Sequence, residues 1–165
     1  EYAINQKLAK QIMESEYTEL FETIAKESKV TPTTIAVFLT ETMKALKRDG
    51  IQTERVSEAK IREVFKALGA GEITKEALPD IVAWLSKNEG KTVKEAVESL
   101  GLKTLTKEEL GKIIDGIIAK NKDLIEKSGA KAFGTVMGLV MKEVRGRANA
   151  ETVSELIKQR LAKKA

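Results

Sequence analysis

The chain has 165 residues, no Cys, no His and two Pro, and its 29 basic and 25 acidic side chains leave a formal charge of +4. That length suits one domain or two small ones with a sizeable core. The missing Cys excludes disulfides, thiolate metal sites and Cys nucleophiles, and the missing His removes the commonest general base, the commonest metal ligand and every Ser-His-Asp arrangement.

Glu1-Tyr2-Ala3-Ile4 starts close to helical periodicity without an initiator Met, which points to a piece of a longer polypeptide. No apolar run approaches the roughly 18 residues of a spanning helix, and no signal-peptide pattern opens the chain. The expectation is a cytoplasmic protein with no membrane partner. Thr31-Pro32 reads as an N-cap and first helical position ahead of Ile35, Phe38, Leu39 and Leu46, with Gly50 as the stop. Ser57 opens a helix carrying Ile61, Val64, Phe65 and Leu68, closed by Gly69. Thr74 precedes a stripe of Leu78, Ile81, Val82 and Leu85, and Pro79 one turn inside predicts a kink or a delayed start. Thr92 with Glu95, and Thr106 with Glu109, have the spacing of capping boxes. Period-two alternation is absent, so the predicted fold is all-α. Two small helical subdomains are expected, 1–102 and 103–165, with the boundary near Gly101.

Charge is unevenly shared between them. Residues 1–102 hold 15 basic and 17 acidic side chains, residues 103–165 hold 14 and 8, and residues 131–165 hold 8 and 3. A basic C-terminal third is a cue for nucleic-acid or membrane contact. Three helices are predicted there. Leu110, Ile113, Ile114, Ile117 and Ile118 stripe the first, and Val153, Leu156, Ile157 and Leu161 stripe the last, after Asn149 as N-cap.

The middle helix, Ala130 to Arg145, is the informative one. At about 100° per residue, Phe133, Val136, Met137, Val140, Met141 and Val144 share its core side. Gly134, Gly138, Lys131, Lys142 and Arg145 share the opposite one. Each glycine costs about 1 kcal/mol against Ala in a helix interior, so two of them need a cause. Either they admit a neighbouring helix beside a solvated row of cations, or they let an anionic partner such as a phosphate chain approach bare backbone. The lysines interrupt any membrane-type Gly-x-x-x-Gly surface.

The run Lys131-Ala132-Phe133-Gly134-Thr135-Val136-Met137-Gly138-Leu139-Val140-Met141-Lys142-Glu143-Val144-Arg145-Gly146-Arg147-Ala148, followed by Val153-Ser154-Glu155-Leu156, closely resembles the C-terminal tail of the GatB/GatE subunits of tRNA-dependent amidotransferases. The same module occurs in free-standing YqeY-like proteins. Thr31-Pro32-Thr33-Thr34-Ile35-Ala36 through Leu46-Lys47-Arg48-Asp49-Gly50 looks more like archaeal GatE than bacterial GatB. The resemblance implies a three-helix YqeY-like bundle at the C-terminus, and a noncatalytic tail on an enzyme that converts Glu-tRNA(Gln) to Gln-tRNA(Gln). ATP and Mg would belong to the body of that parent subunit, with no cofactor in this chain. The implied partners are tRNA(Gln), touched at its outer corner near the D-loop, the amidotransferase's D subunit, and the catalytic body. On this reading Lys131, Lys142, Arg145 and Arg147 lead as tRNA contacts around Gly134 and Gly138, with Lys158 and Arg160 next. Lys163 and Lys164 are an RNA-seeking tail or a solubilising terminus. A protein-docking module with the acidic half as its surface, and a free-standing protein, are the alternatives.

Other polar residues read as structural. Ser57, Thr74, Thr92 and Thr106 stand at helix starts, and Glu108-Glu109 complements a helix dipole. Trp84 reads as a packing anchor, Tyr2 and Tyr17 lack a basic cluster around them, and Gly146 stops the middle helix. Gly69-Ala70-Gly71 precedes no Lys-Ser/Thr at P-loop spacing. No catalytic residue and no metal site is expected.

Overall fold

A computed structural model of the chain describes residues 2–163, and Lys164 lies outside the described residues. It is all-α, with no strand among the described residues. Two compact units are present: one runs to Ile73 and resumes over Ala77–Lys103, and the other comprises Thr74–Glu76 and the chain from Thr104 onward. Among the described residues no helix is long and apolar enough to cross a membrane.

The first unit holds α1 (Gln6–Met13), α2 (Thr18–Glu27), α3 (Pro32–Val37), α4 (Met43–Arg48), α5 (Glu58–Gly69), α6 (Leu78–Lys87) and α7 (Val93–Leu100). Thr31 caps α3 as expected, its Oγ1 accepting the Thr34 N–H, with Pro32 in the first turn. A π-helical turn, Phe38–Thr42, joins α3 to α4. It buries Phe38, Leu39 and Thr40 in succession, and the enclosed Thr40 hydroxyl is satisfied by donating to the Ala36 carbonyl at 2.7 Å. Gly50, at φ 82°, ends α4 with two reversed hydrogen bonds, Gly50 N–H to Lys47 O and Ile51 N–H to Leu46 O. Phe65 is fully buried at the centre of the core and meets Phe38 edge to face at 5.3 Å. Trp84 is half-buried against the same core, and Tyr2 packs edge to face on Phe21.

Two punctuation marks differ from the sequence reading. The residue that stops α5 is Gly71, at φ 76°, not Gly69. Gly69 is the last helical residue, and a Cβ there would meet the Lys29 backbone nitrogen at 2.9 Å. Its smallness admits the loop after α2. Gly69→Ala should therefore destabilise the chain by about 1–3 kcal/mol through overpacking against immovable backbone, read as a lowered melting temperature. An unchanged melt would show that the loop yields freely. At Pro79 the delayed start is realised: a 3₁₀ turn, Lys75–Ala77, precedes α6, and the proline occupies its first turn.

The second unit holds α8 (Lys107–Lys120), α9 (Lys122–Ser128), α10 (Ala132–Val144) and α11 (Ala150–Ala162). The three expected helices are α8, α10 and α11, and the short α9 is additional. Both capping boxes form: at α8, Glu109 N–H donates to Thr106 Oγ1 at 3.2 Å while Thr106 N–H donates to Glu109 Oε2 at 2.9 Å. Asn149 caps α11 through the Thr152 N–H. Leu110, Ile114 and Ile118 of α8, Val136, Val140 and Val144 of α10, and Val153 and Ile157 of α11 converge in one core. Phe133, Met137 and Met141 are only half-buried at its margin.

Candidate functional site

The outer face of α10 collects the residues singled out in the sequence. Gly134, Gly138 and Lys142 follow one another at i, i+4 and i+8, all exposed. Lys131, exposed, sits at the N-cap position after a 3₁₀ turn, Gly129–Lys131. Arg145, also exposed, leaves the helix at the other end with extended backbone. From Lys131 to Arg145 is 14 positions, about 20 Å of helix.

Among the described residues no neighbouring helix accounts for the glycines. No heavy atom of the described residues, beyond the helix's own adjacent backbone, lies within 4 Å of the place a Cβ would take at Gly134 or Gly138. Both glycines carry their cost in helix propensity without a packing contact among the described residues to account for it.

The electrostatics favour an anion there. The first turn of α10 has no acidic residue, so the positive end of the helix dipole and the Lys131 ammonium add in sign. Cations of the first unit are extensively engaged: Lys47 pairs with Glu16, Lys91 with Glu95, and Arg62 and Lys66 both with Glu27. Arg62 holds the Glu27 carboxyl below the usual carboxylate range, and the Thr92 N–H followed by Lys91 does the same to Glu95. In the second unit, Arg160–Asp115 is the one ion pair among the described residues, at 3.1 Å.

The remaining predicted contacts are placed differently. Arg147 lies in the turn beyond Gly146 and is half-buried. Its carbonyl accepts the Leu105 N–H at 2.8 Å, and its buried Nε has no hydrogen-bond partner among the described residues. Lys158 Nζ stands 5.7 Å from the centroid of the Phe133 ring, a cation–π contact across α11 and α10. Arg160 is committed inward: besides Asp115, its guanidinium lies 2.7 Å from where a Cβ of Gly111 would be. Lys163 is exposed after α11. The structure thus assembles Lys131, Gly134, Gly138, Lys142 and Arg145 on one face, and leaves Arg147, Lys158 and Arg160 outside that line.

Three lysines meet at a feature the sequence reading passed over. An open groove between α8 and α10 is lined by Lys112, Lys120 and Lys142. Its signal was present in α8, where Lys112, Gly116 and Lys120 recur every four residues.

A family profile described as "GatB domain" matches residues 19–161. The chain belongs to this GatB/YqeY family. It is similar to the E subunit of the glutamyl-tRNA(Gln) amidotransferase of Methanococcus maripaludis, 37% identical over 165 residues, covering 99% of this chain and 26% of the relative. The corresponding E subunit of Methanocaldococcus jannaschii is likewise 37% identical over 162 residues, covering 98% and 26%. For Aeropyrum pernix the figures are 34% over 163 residues, 98% and 25%. The chain therefore spans about a quarter of the length of these curated relatives. As a GatB/YqeY domain it corresponds in extent to a part of such a subunit.

Proposed function

We propose that this GatB/YqeY domain is a tRNA-binding, noncatalytic tail of an amidotransferase subunit that helps convert Glu-tRNA(Gln) to Gln-tRNA(Gln). It contacts the outer corner of tRNA(Gln) near the D-loop, while the catalytic body of the same polypeptide and the amidotransferase's D subunit supply the chemistry. One observation carries the reading: an exposed helix face about 20 Å long, in which two glycines with open Cβ positions among the described residues lie between Lys131, Lys142 and Arg145. Lysine and arginine there neutralise backbone phosphates, and the folded shape of the tRNA supplies selectivity.

ATP and Mg belong, on this reading, to the parent's body. Among the described residues no group of three acidic side chains is placed to hold a metal. Gly69-Ala70-Gly71 ends a helix, so outward carbonyls and the negative end of the dipole face any would-be phosphate.

A gel shift with tRNA(Gln), tRNA(Glu) and an unrelated tRNA tests the proposal. Retardation of tRNA(Gln) at the lowest protein concentration is expected, and no shift with any tRNA would reject it. Gly138→Leu refines the test. With open space around it, the new side chain should leave the melting temperature unchanged or raised, since Gly is the poorer helix former by about 1 kcal/mol against Ala. Affinity for tRNA should fall, because a side chain stands where the phosphate chain approaches. A large drop in melting temperature with unaltered affinity would assign the glycine to folding instead.

A further inference from the structure

Helix α8 carries a second stripe, on the side away from its buried Leu110, Ile114 and Ile118. Lys112, Gly116 and Lys120 are all exposed and spaced i, i+4, i+8. Between this stripe and α10 runs an open groove of about 560 Å³, with Ile113 on the α8 side and Leu139 and Lys142 on the α10 side. Glu143 also lines it, so three ammonium groups face one carboxylate. None of the three lysines has an ion-pair partner among the described residues, whose one pair in this unit is Arg160–Asp115.

Gly116 adds an independent observation. It lies in the interior of a 14-residue helix, where glycine costs about 1 kcal/mol against Ala. Among the described residues no heavy atom beyond the helix's own adjacent backbone lies within 4 Å of its Cβ position, so none of them explains it. Gly111, one turn earlier, is explained by the Arg160 guanidinium packed over it. At Gly116 the missing side chain instead keeps the groove clear midway between two lysines.

The geometry points to this groove as a seat for a stretch of RNA sugar–phosphate backbone, held by Lys112 and Lys120 from α8 and Lys142 from α10. Lys112 and Lys120 are separated by about 12 Å along the helix axis, a spacing that suits the repeated phosphates of a polymer. Ile113 and Leu139 offer apolar surface to the sugars between them. Lys142 belongs to both the groove and the Gly134–Gly138 face, so a single strand can run from one onto the other. This assignment rests on the tRNA reading above and extends it to α8.

Fluorescence anisotropy with a tRNA(Gln) transcript, using the whole chain, separates the two. The variants are Lys112→Ala with Lys120→Ala, Gly116→Leu, and Lys131→Ala with Arg145→Ala, each checked by thermal melting. The α8 lysine pair should lose about tenfold in affinity, and its log–log salt slope should flatten by about 1.4–1.8, the share of two phosphate contacts. Gly116→Leu should weaken binding with an unchanged or raised melting temperature, so the groove is tested even if one variant is misfolded. No binding by the unmodified chain would overturn the tRNA reading and the groove with it. Binding that depends on Lys131 and Arg145 but is indifferent to both α8 variants would overturn the groove alone. Poly-glutamate bound as tightly as tRNA, with the same dependence on Lys112 and Lys120, would overturn it in favour of an acidic protein partner.

Discussion

Raising monovalent salt from about 50 to about 200 mM should weaken the affinity of the chain for tRNA by about 16- to 250-fold. Counterion release contributes a log–log slope of roughly −0.7 to −0.9 per neutralised phosphate. Lys131, Lys142 and Arg145 are exposed and without acidic partners among the described residues, so each is free to displace one condensed cation. Three such contacts, or four with one further cation, give a slope of about −2 to −4. Titrations across that range decide the matter. A flat response would mean that the second unit's unpaired cations are a solvated face and that the partner is a protein.

Phe65→Ala should cost about 3–5 kcal/mol of stability, the usual loss for truncating a fully buried aromatic side chain. Its ring has no solvent exposure and loses an edge-to-face partner in Phe38 as well as its area. The tRNA contacts proposed above lie in the other unit, which has its own core of Val136, Val140 and Ile157. Measured well below the melting transition, tRNA affinity should therefore survive Phe65→Ala. Calorimetry and binding on the same sample give both numbers. A loss of affinity in proportion to the loss of stability would place part of the tRNA contact in the first unit.

Features governed by a few neighbouring residues were legible in the sequence. The Thr92–Glu95 and Thr106–Glu109 boxes, Asn149, Thr31-Pro32 and Gly50 form where local chemistry puts them, because a cap satisfies groups within one turn. Helix α9 escaped because it buries no side chain fully: Leu124 is exposed, Ile125 is only half-buried, and no periodic apolar stripe marks the segment. The π-helical turn at Phe38–Thr42 depends on enclosure by distant helices and has no local signature. Gly69 looked like the stop, and only the position of Lys29 in space shows it to be a tight approach, with the turn at Gly71.

The candidate site divides the same way. Spacing along α10 was enough to align Gly134, Gly138 and Lys142, since one helix sets it. Arg160 looks as available as Lys142 in the sequence, yet Asp115, 45 residues away, holds it. Lys112, Gly116 and Lys120 have equally regular spacing, but a row of lysines on one helix resembles any solvated face. It becomes a groove wall only when α10 stands opposite.

The open flanks of Gly134 and Gly138 bear on how this surface can change over time. A substitution at Val140 is screened by folding before any partner is met, because the core will not close around it. At Gly138 that screen is weak: an added Cβ meets open space among the described residues, and most side chains would favour the helix. Any pressure to keep glycine there would have to act through what the face touches. Drift at these two positions in a descendant chain would therefore record the loss of that partner while the fold persisted, a record the valine line beneath could never keep.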